Sequence, residues 1–417
     1  MIQLSQKINT ATVLIALLTF ILGWQLGHRD VSLKWAGFKP SVTIENKQPP
    51  KNIQVDFKLF WETWDLVSRQ YLDKKAIDPQ KLFYGAIQGM VASIGDPYTV
   101  FLPPEQQKTS KEELNGSFDG VGLQLGFNDP GTGDVATAEK RLVVVAPLSG
   151  TPAEKAGIKP QDIILKIDEK DTTGMTLPEA VKLIRGVKGS TVELSIFREG
   201  ETESRKFTLT RETIIVKSVE VSFKETKSGK KVAVVKLSRF GDRTKDEWNE
   251  AISETLAQNS KAVILDVRNN PGGYLEGAVF VASEFLDNGV VVLQENSKGE
   301  RSSYGVDRVG KVLKLPMVVM INKGSASASE IVAGTLQDRK RAKLVGEKSF
   351  GKGTIQEAEE LAGGAGIHIT VARWLTPNGR WVNDSKGLDP DIEVKQDTEN
   401  KDITKDDQLD KALEVLE

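Results

Sequence analysis

The chain has no cysteine and only two histidines among its 417 residues. Without cysteine there is no disulfide, no zinc-thiolate site and no thiol nucleophile. With so little histidine, a serine hydrolase built from this sequence has lysine as its chief alternative base. A charge excess is missing too: 56 Lys and Arg face 58 Asp and Glu. No basic block stands clear of acidic neighbours, which weakens the electrostatic case for nucleic acid. Internal repeats and low-complexity runs are absent. At 39% hydrophobic content, a chain of this length buries a large core and divides into two or three units.

Long apolar runs are scarce, with one exception. Ile8 to Gly27 carries no charge, between Lys7 and His28-Arg29. As a helix it would be about 30 Å long, roughly one bilayer core. Segment 1–29 therefore reads as a single N-terminal transmembrane helix. The alternative is a cleaved signal peptide, which would have an unusually long apolar region and no clear Ala-x-Ala site. Residues 30–52, with Pro40 and Pro49-Pro50 among polar residues, read as a linker. An N-terminal helical region follows over 53–114. Phe57, Phe60, Trp61, Trp64 and Tyr71 recur at helical spacing, and Leu82, Phe83, Ala86, Ile87, Met90 and Val91 do so after Asp78-Pro79. The aromatic stripe reads as core or as a homodimer contact. Asp96-Pro97-Tyr98 and Pro103-Pro104 end the region.

Residues 115–213 form a separate module by pattern. Gly120, Val121, Gly122 and Leu123 make a Gly-x-Gly-apolar turn into a strand, and Leu142 to Ala146 reads as another strand. Thr151-Pro-Ala-Glu154 and Thr176-Leu-Pro-Glu179 are capping boxes with proline in the first turn, so each starts a helix. Strands Ile163 to Ile167 and Thr191 to Phe197 flank the second helix. This arrangement resembles a PDZ domain, in which the turn's N–H groups hold a peptide's terminal carboxylate and the peptide adds as a strand. By that resemblance Gly120, Val121, Gly122 and Leu123 bind substrate. From 214 to 398 the chain alternates apolar strands (Lys231 to Phe240, Ala262 to Asp266, Pro316 to Asn322) with helices, which implies an α/β core. Residues 399–417 read as a C-terminal helical tail.

Chemistry concentrates in Gly324 to Gln356. Ser327 lies where a strand passes through a Gly-Ser turn into a helix, a position that aims N–H groups and the positive helix end at whatever it attacks. Ser327-Ala-Ser-Glu330 is also a capping box, and Ser325 and Ser329 are neighbouring hydroxyls. Lys352, between Gly351 and Gly353, would need its pKa lowered by roughly three units from about 10.4 to act as a base near neutrality. Burial among apolar neighbours such as Phe350 supplies such a shift. If the chain from Gly353 is extended, residues 352, 354 and 356 share a face, and Gln356 could hold the lysine nitrogen through its amide oxygen without adding charge. A third element, Asp266-Val-Arg-Asn-Asn-Pro-Gly-Gly273, ends a strand in a glycine turn whose N–H groups could serve as oxyanion donors.

Together these segments resemble the C-terminal processing peptidases, or tail-specific proteases. The resemblance rests on Gly95-Asp-Pro-Tyr-Thr99, Asp266 to Gly273, Gly324 to Ile331, Ser349 to Gln356 and Gly387-Leu-Asp-Pro-Asp391, in that order. It implies a multidomain α/β and α+β chain: a crotonase-like peptidase core with an inserted PDZ domain. Ser327 would be the nucleophile, Lys352 the general base and Gln356 the residue orienting it. Gly273 and Ala328 would supply the oxyanion hole, with Gly272 the less favoured alternative to Gly273. No metal or cofactor is implied. The expected partners are proteins or peptides with apolar C-terminal ends. The implied location is the bacterial cell membrane, single-pass, with the catalytic part extracytoplasmic. Arg185, ending the second PDZ helix, is a candidate contact between bound peptide and protease core. The segment Phe127 to Lys140 departs from the family by being longer and more polar.

Overall fold

Three runs of β-branched and aliphatic residues set the centre of this molecule, seen here in a computed structural model. It describes residues 55–128, 135–137, 140–396 and 405–417, with Thr19 and the backbone of strands at 30–36 and 39–45. Strands Lys231–Leu237, Ala262–Asp266 and Met317–Ile321 lie side by side and parallel. Alternate residues face opposite ways, as the pleat requires. Val235, Leu237, Val263, Leu265, Val319 and Ile321 join the cluster under the helices Thr244–Ala257, Leu275–Ser283 and Ala328–Asp338. Val232, Val234, Ile264, Val318 and Met320 face the other way and are covered by Ala412 and Leu416. Both faces are buried, which is why these strands read as continuous apolar runs. The helix Asp407–Val415 is thus part of the core rather than a tail. Arg268 anchors its start through an ion pair to Asp406 at 2.8 Å.

The full sheet runs Val219–Glu225, Lys231–Leu237, Ala262–Asp266, Met317–Ile321, Lys343–Gly346, Ile392–Glu393, antiparallel only in the first pair. The turns that follow Asp266 and Ile321 leave the same, carboxyl end of adjacent parallel strands, where α/β sheets characteristically present their sites. A second sheet pairs Arg301–Gly305, Val290–Asn296, Gly366–Leu375 and Thr354–Glu360, with Val100–Leu102 added against Gly366–Leu375. That addition brings the Gly95 to Thr99 turn beside Lys352 and Thr370.

The expected module emerges from the chain on two paired strands. Ser117–Gly120 and Glu212–Ile215 run antiparallel, which closes the insertion at its base. Between them a sheet ordered Arg205–Thr210, Thr191–Phe197, Ile163–Ile167, Leu142–Pro147, Leu123–Phe127 carries the helices Pro152–Lys155 and Leu177–Ile184. Thr176 and Glu179 complete the second capping box, with Glu179 N–H donating to Thr176 Oγ1 at 3.3 Å and Thr176 N–H to Glu179 at 2.9 Å. Leu123–Phe127 is an edge strand, so one side of it is free to pair.

The chain divides after Leu82 into two compact units. In the first, the expected linker at 30–52 is replaced over most of its length by an antiparallel hairpin, Asp30–Ala36 with Lys39–Glu45, Trp35 opposite Pro40. Val31, Leu33 and Trp35 alternate with polar residues, a strand period that the nearby prolines masked. The aromatic stripe lies on the helix Lys58–Gln70, which buries none of its residues. Phe60, Trp61 and Trp64 meet one another in edge-to-face and tilted contacts, and Trp61 remains 61% exposed.

The transmembrane helix needs correction. Apart from Thr19, Ile8 to Gly27 lies outside the described residues, and among those residues no helix is long and apolar enough to cross a membrane. The longest described helices have 14 residues, against about 20 for a bilayer. The fold class is therefore a multidomain α/β chain with a PDZ module, with no membrane-spanning helix assigned.

Candidate active site

Ser327 occupies an unusual backbone conformation, φ 55° and ψ −115°, as the strand Met317–Ile321 turns into the helix Ala328–Asp338. A non-glycine residue there costs on the order of 1–3 kcal/mol and persists only where its surroundings impose it. Those surroundings are visible. Ser325 Oγ donates to Val267 O at 2.8 Å, Ala326 N–H to Asn270 O at 3.0 Å, and Ser329 Oγ to the same carbonyl at 2.8 Å. Asn269 and Asn322 exchange two further bonds at 2.8 and 2.9 Å. The turn after Asp266 is thereby fastened to the turn that carries Ser327. Ser325 and Ser329 are fully buried and committed to backbone carbonyls; Ser327 is the hydroxyl of the three that borders a cavity.

Glu330 joins the Ser327 and Lys352 segments. Its buried carboxylate accepts from Ser327 N–H at 2.9 Å, Gly351 N–H at 2.7 Å, Lys352 N–H at 2.9 Å and Ser349 Oγ at 2.6 Å. Burial pushes its pKa up while these donors pull it down. Sequence reading had taken Glu330 only as a helix cap.

The glycines beside Lys352 allow close packing. A Cβ on Gly351 would stand 2.8 Å from Gly387 N, and one on Gly353 2.5 Å from Trp381 Nε1. Trp374 Nε1 donates to Lys352 O at 2.9 Å. Phe350 does not bury the lysine, being 56% exposed; Tyr98 does, with Lys352 Nζ 4.8 Å from the centre of its ring. Burial lowers the Lys352 pKa, opposed by the carboxylates of Asp96 and Glu330.

Ser327, Ala328, Gly273, Lys352 and Gln356 line one cavity of about 350 Å³. Gly272 lines it too, but its N–H already donates to Asn270 Oδ1 at 2.9 Å. No hydrogen bond among the described residues takes the N–H of Gly273. Ala328 opens its helix, where the N–H has no intrahelical partner. Gly272 instead provides room: a Cβ there would lie 2.8 Å from Ser327 Cβ and 3.0 Å from Ala328 N.

Gln356 Nε2 donates to Thr354 Oγ1 at 2.9 Å and to Thr370 Oγ1 at 3.0 Å. A bulge between Ile355 and Gln356 resets the register, so that Gln356 stands opposite Thr370. His368, two residues earlier on that strand, also lines the cavity. Burial, and then the charge of Lys352, lower its pKa, so it is neutral at neutral pH. Neither His368 nor Thr370 was found from sequence. Strand alternation linking 368 and 370 was the available signal. The predicted peptide-binding residues Gly120, Val121, Gly122 and Leu123 line a different cavity, about 400 Å³, beside Val181 and Arg185 of the PDZ helix end.

Comparison with known proteins identifies relatives of most of the chain and of its parts. The profile described as Peptidase family S41 matches residues 231–394, a PDZ domain profile matches 143–198, and the profile of the activating protease CtpB N-terminal domain matches 30–106. The carboxyl-terminal-processing protease of Synechocystis sp. is 38% identical over 355 residues, covering 81% of each chain. The carboxy-terminal processing protease CtpA of Bacillus subtilis is 36% identical over 80% of this chain and 68% of its own length. Among solved structures, the photosystem II D1 C-terminal processing protease is 32% identical with a TM-score of 0.50, over 85% of this chain and 96% of that one.

Proposed function

Because the chain belongs to peptidase family S41, the C-terminal processing serine proteases with a PDZ domain, we propose that it is an endopeptidase using Ser-Lys acyl-enzyme chemistry. The observation that carries the reading is the pairing in one cavity of Ser327, held on a strained turn, with a Lys352 whose pKa is lowered by burial. Neutral Lys352 takes the Ser327 proton as Oγ attacks the scissile carbonyl, and the same lysine activates the water that releases the acyl-enzyme. Gln356 orients the lysine. The N–H groups of Gly273 and Ala328 stabilise the oxyanion, supported by the absence, among the described residues, of a competing acceptor on either.

Substrates are proteins or peptides with apolar C-terminal ends. The groove along the edge strand Leu123–Phe127 is lined by Leu123, Leu125, Val181 and Ile184, which suits an apolar side chain on an added strand. Arg185 links this groove to the helix Pro104–Asn115: it pairs with Glu112 at 3.2 Å, and its guanidinium lies 4.3 Å from the centre of the Phe118 ring. The exposed stripe at Phe57, Trp61 and Tyr71 suits a homodimer contact.

The test incubates the full chain with an unstructured protein ending in apolar residues and follows cleavage. The parent cleaves, while Ser327→Ala and Lys352→Ala do not. Cleavage by either variant at the parent's rate overturns the mechanism and favours a noncatalytic PDZ adaptor for the fold.

A further inference from the structure

Asp96 sits in the turn before the strand Val100–Leu102 and is distant in sequence from Lys352, yet it is wired to the same site. Its carboxylate accepts from Thr99 Oγ1 at 2.7 Å, from Thr370 Oγ1 at 2.5 Å and from Tyr98 N–H at 3.1 Å. Its pKa is lowered by the donors that outweigh its burial, so at neutral pH it is ionised. An ionised carboxylate can only accept. Thr370 must therefore spend its single hydroxyl proton on Asp96, which leaves its oxygen as an acceptor. Gln356 stands opposite Thr370 and has to present its amide nitrogen there, and Thr354 takes that nitrogen's other proton. Both N–H groups are then used. The carbonyl oxygen Oε1 is the polar atom of this side chain left for Lys352.

We infer that Asp96, acting through Thr370, sets which end of the Gln356 amide is offered to Lys352, and is a positioning residue for the catalytic base. An amide can be turned end for end at little steric cost, so sheet geometry alone does not choose between the two orientations. The wrong one would face the lysine with N–H donors, repelling the ammonium and offering the neutral amine no acceptor. The right one takes an N–H of the neutral amine and leaves its lone pair for the Ser327 proton. The inference rests on the proposed roles of Ser327, Lys352 and Gln356. It extends them to a direction of hydrogen bonding that begins at Asp96.

The test is steady-state kinetics on the full chain with a peptide substrate, in single and double variants. Thr370→Val removes the relay at nearly constant volume; kcat falls by about 10- to 100-fold, as when a supporting partner of a site ligand is lost, with KM little changed. Thr370→Ser restores most of the loss. In a Gln356→Ala background Thr370→Val costs nothing further, because the residue it acts on is gone. Asp96→Asn loses kcat similarly and moves the acid limb of the pH profile down. That shift follows because Lys352 is faced by the carboxylates of Asp96 and Glu330, by neutral His368 and by Tyr98, and the substitution removes one of the two negative charges. The inference is overturned if Thr370→Val leaves kcat unchanged, or lowers it as much with Gln356→Ala as without. Should Ser327→Ala match the parent, the catalytic reading itself has failed instead.

Discussion

Lys352 is useful as a base only while neutral, and its surroundings bear on that directly. Burial depresses its pKa below the ordinary lysine value and two carboxylates push it back. The folded chain therefore binds fewer protons at this site than the unfolded chain between the folded pKa and about 10.4, and stability rises with pH across that window. Below the folded value the cost is fully present. Lys352→Met removes the cost along with the activity, so the variant is expected to be inactive yet to melt higher than the parent at neutral pH by about 2 °C or more; the gain should shrink as the pH approaches 10. Thermal melts across a pH series check this, and a lower melting point at neutrality would mean the ammonium is held by a stabilising pair. The lysine itself was legible from its two glycines and its place in a motif. The aromatic that buries it was not, because Tyr98 and Lys352 are far apart in sequence and Phe350, the adjacent candidate, points into solvent.

The nucleophile turn shows what a segment's sequence reveals and what it conceals. Strand, Gly-Ser turn and helix were readable from periodicity and capping, and the strand Ala262–Asp266 appears where expected. The left-handed φ of Ser327 was not, since nothing in a serine signals it. It is held by the bonds to the Asn270 carbonyl, which are long-range, and by the local bond to the Glu330 carboxylate, which long-range bonds to Ser349, Gly351 and Lys352 fix in turn. Gly272 belongs to the same packing, with φ +105° and no room for a Cβ against Ser327 and Ala326 O. Gly272→Ala is expected to lower kcat by about 100-fold or more and destabilise the chain by roughly 1–3 kcal/mol, measured by kinetics and denaturant melts. Ser329→Ala, which removes a bond to Asn270 O and no predicted catalytic atom, should cost about 1–3 kcal/mol of stability with a much smaller loss of rate. Equal rate losses in the two variants would contradict the assignment of Ser327 over its neighbour.

At the scale of the molecule, the PDZ module was visible from its Gly-x-Gly turn, strands and proline-bearing capping boxes, and the α/β core from apolar strands alternating with helices. The hairpin at Asp30–Ala36 and Lys39–Glu45 was hidden by prolines, and the covering role of Asp407–Val415 by the polar stretch before it. The groove and the catalytic cavity are separate, so recognition and chemistry should separate in kinetics. Val181→Asp, which puts a charge in the apolar groove, is expected to lower kcat/KM about 10-fold or more for peptides with apolar tails, the value of one buried aliphatic side chain, and to leave a short peptide without such a tail unaffected. Equal losses on both would mean that the groove does not select substrates. The central claim is that Ser327 is made nucleophilic by Lys352. Its most direct test is the rate at which a fluorophosphonate labels the full chain, read by intact mass and peptide mapping across pH. The account predicts a single adduct on Ser327, forming faster as pH rises through the lowered Lys352 pKa and lost in Lys352→Ala. An adduct on another serine, or one that forms equally fast without Lys352, would contradict it.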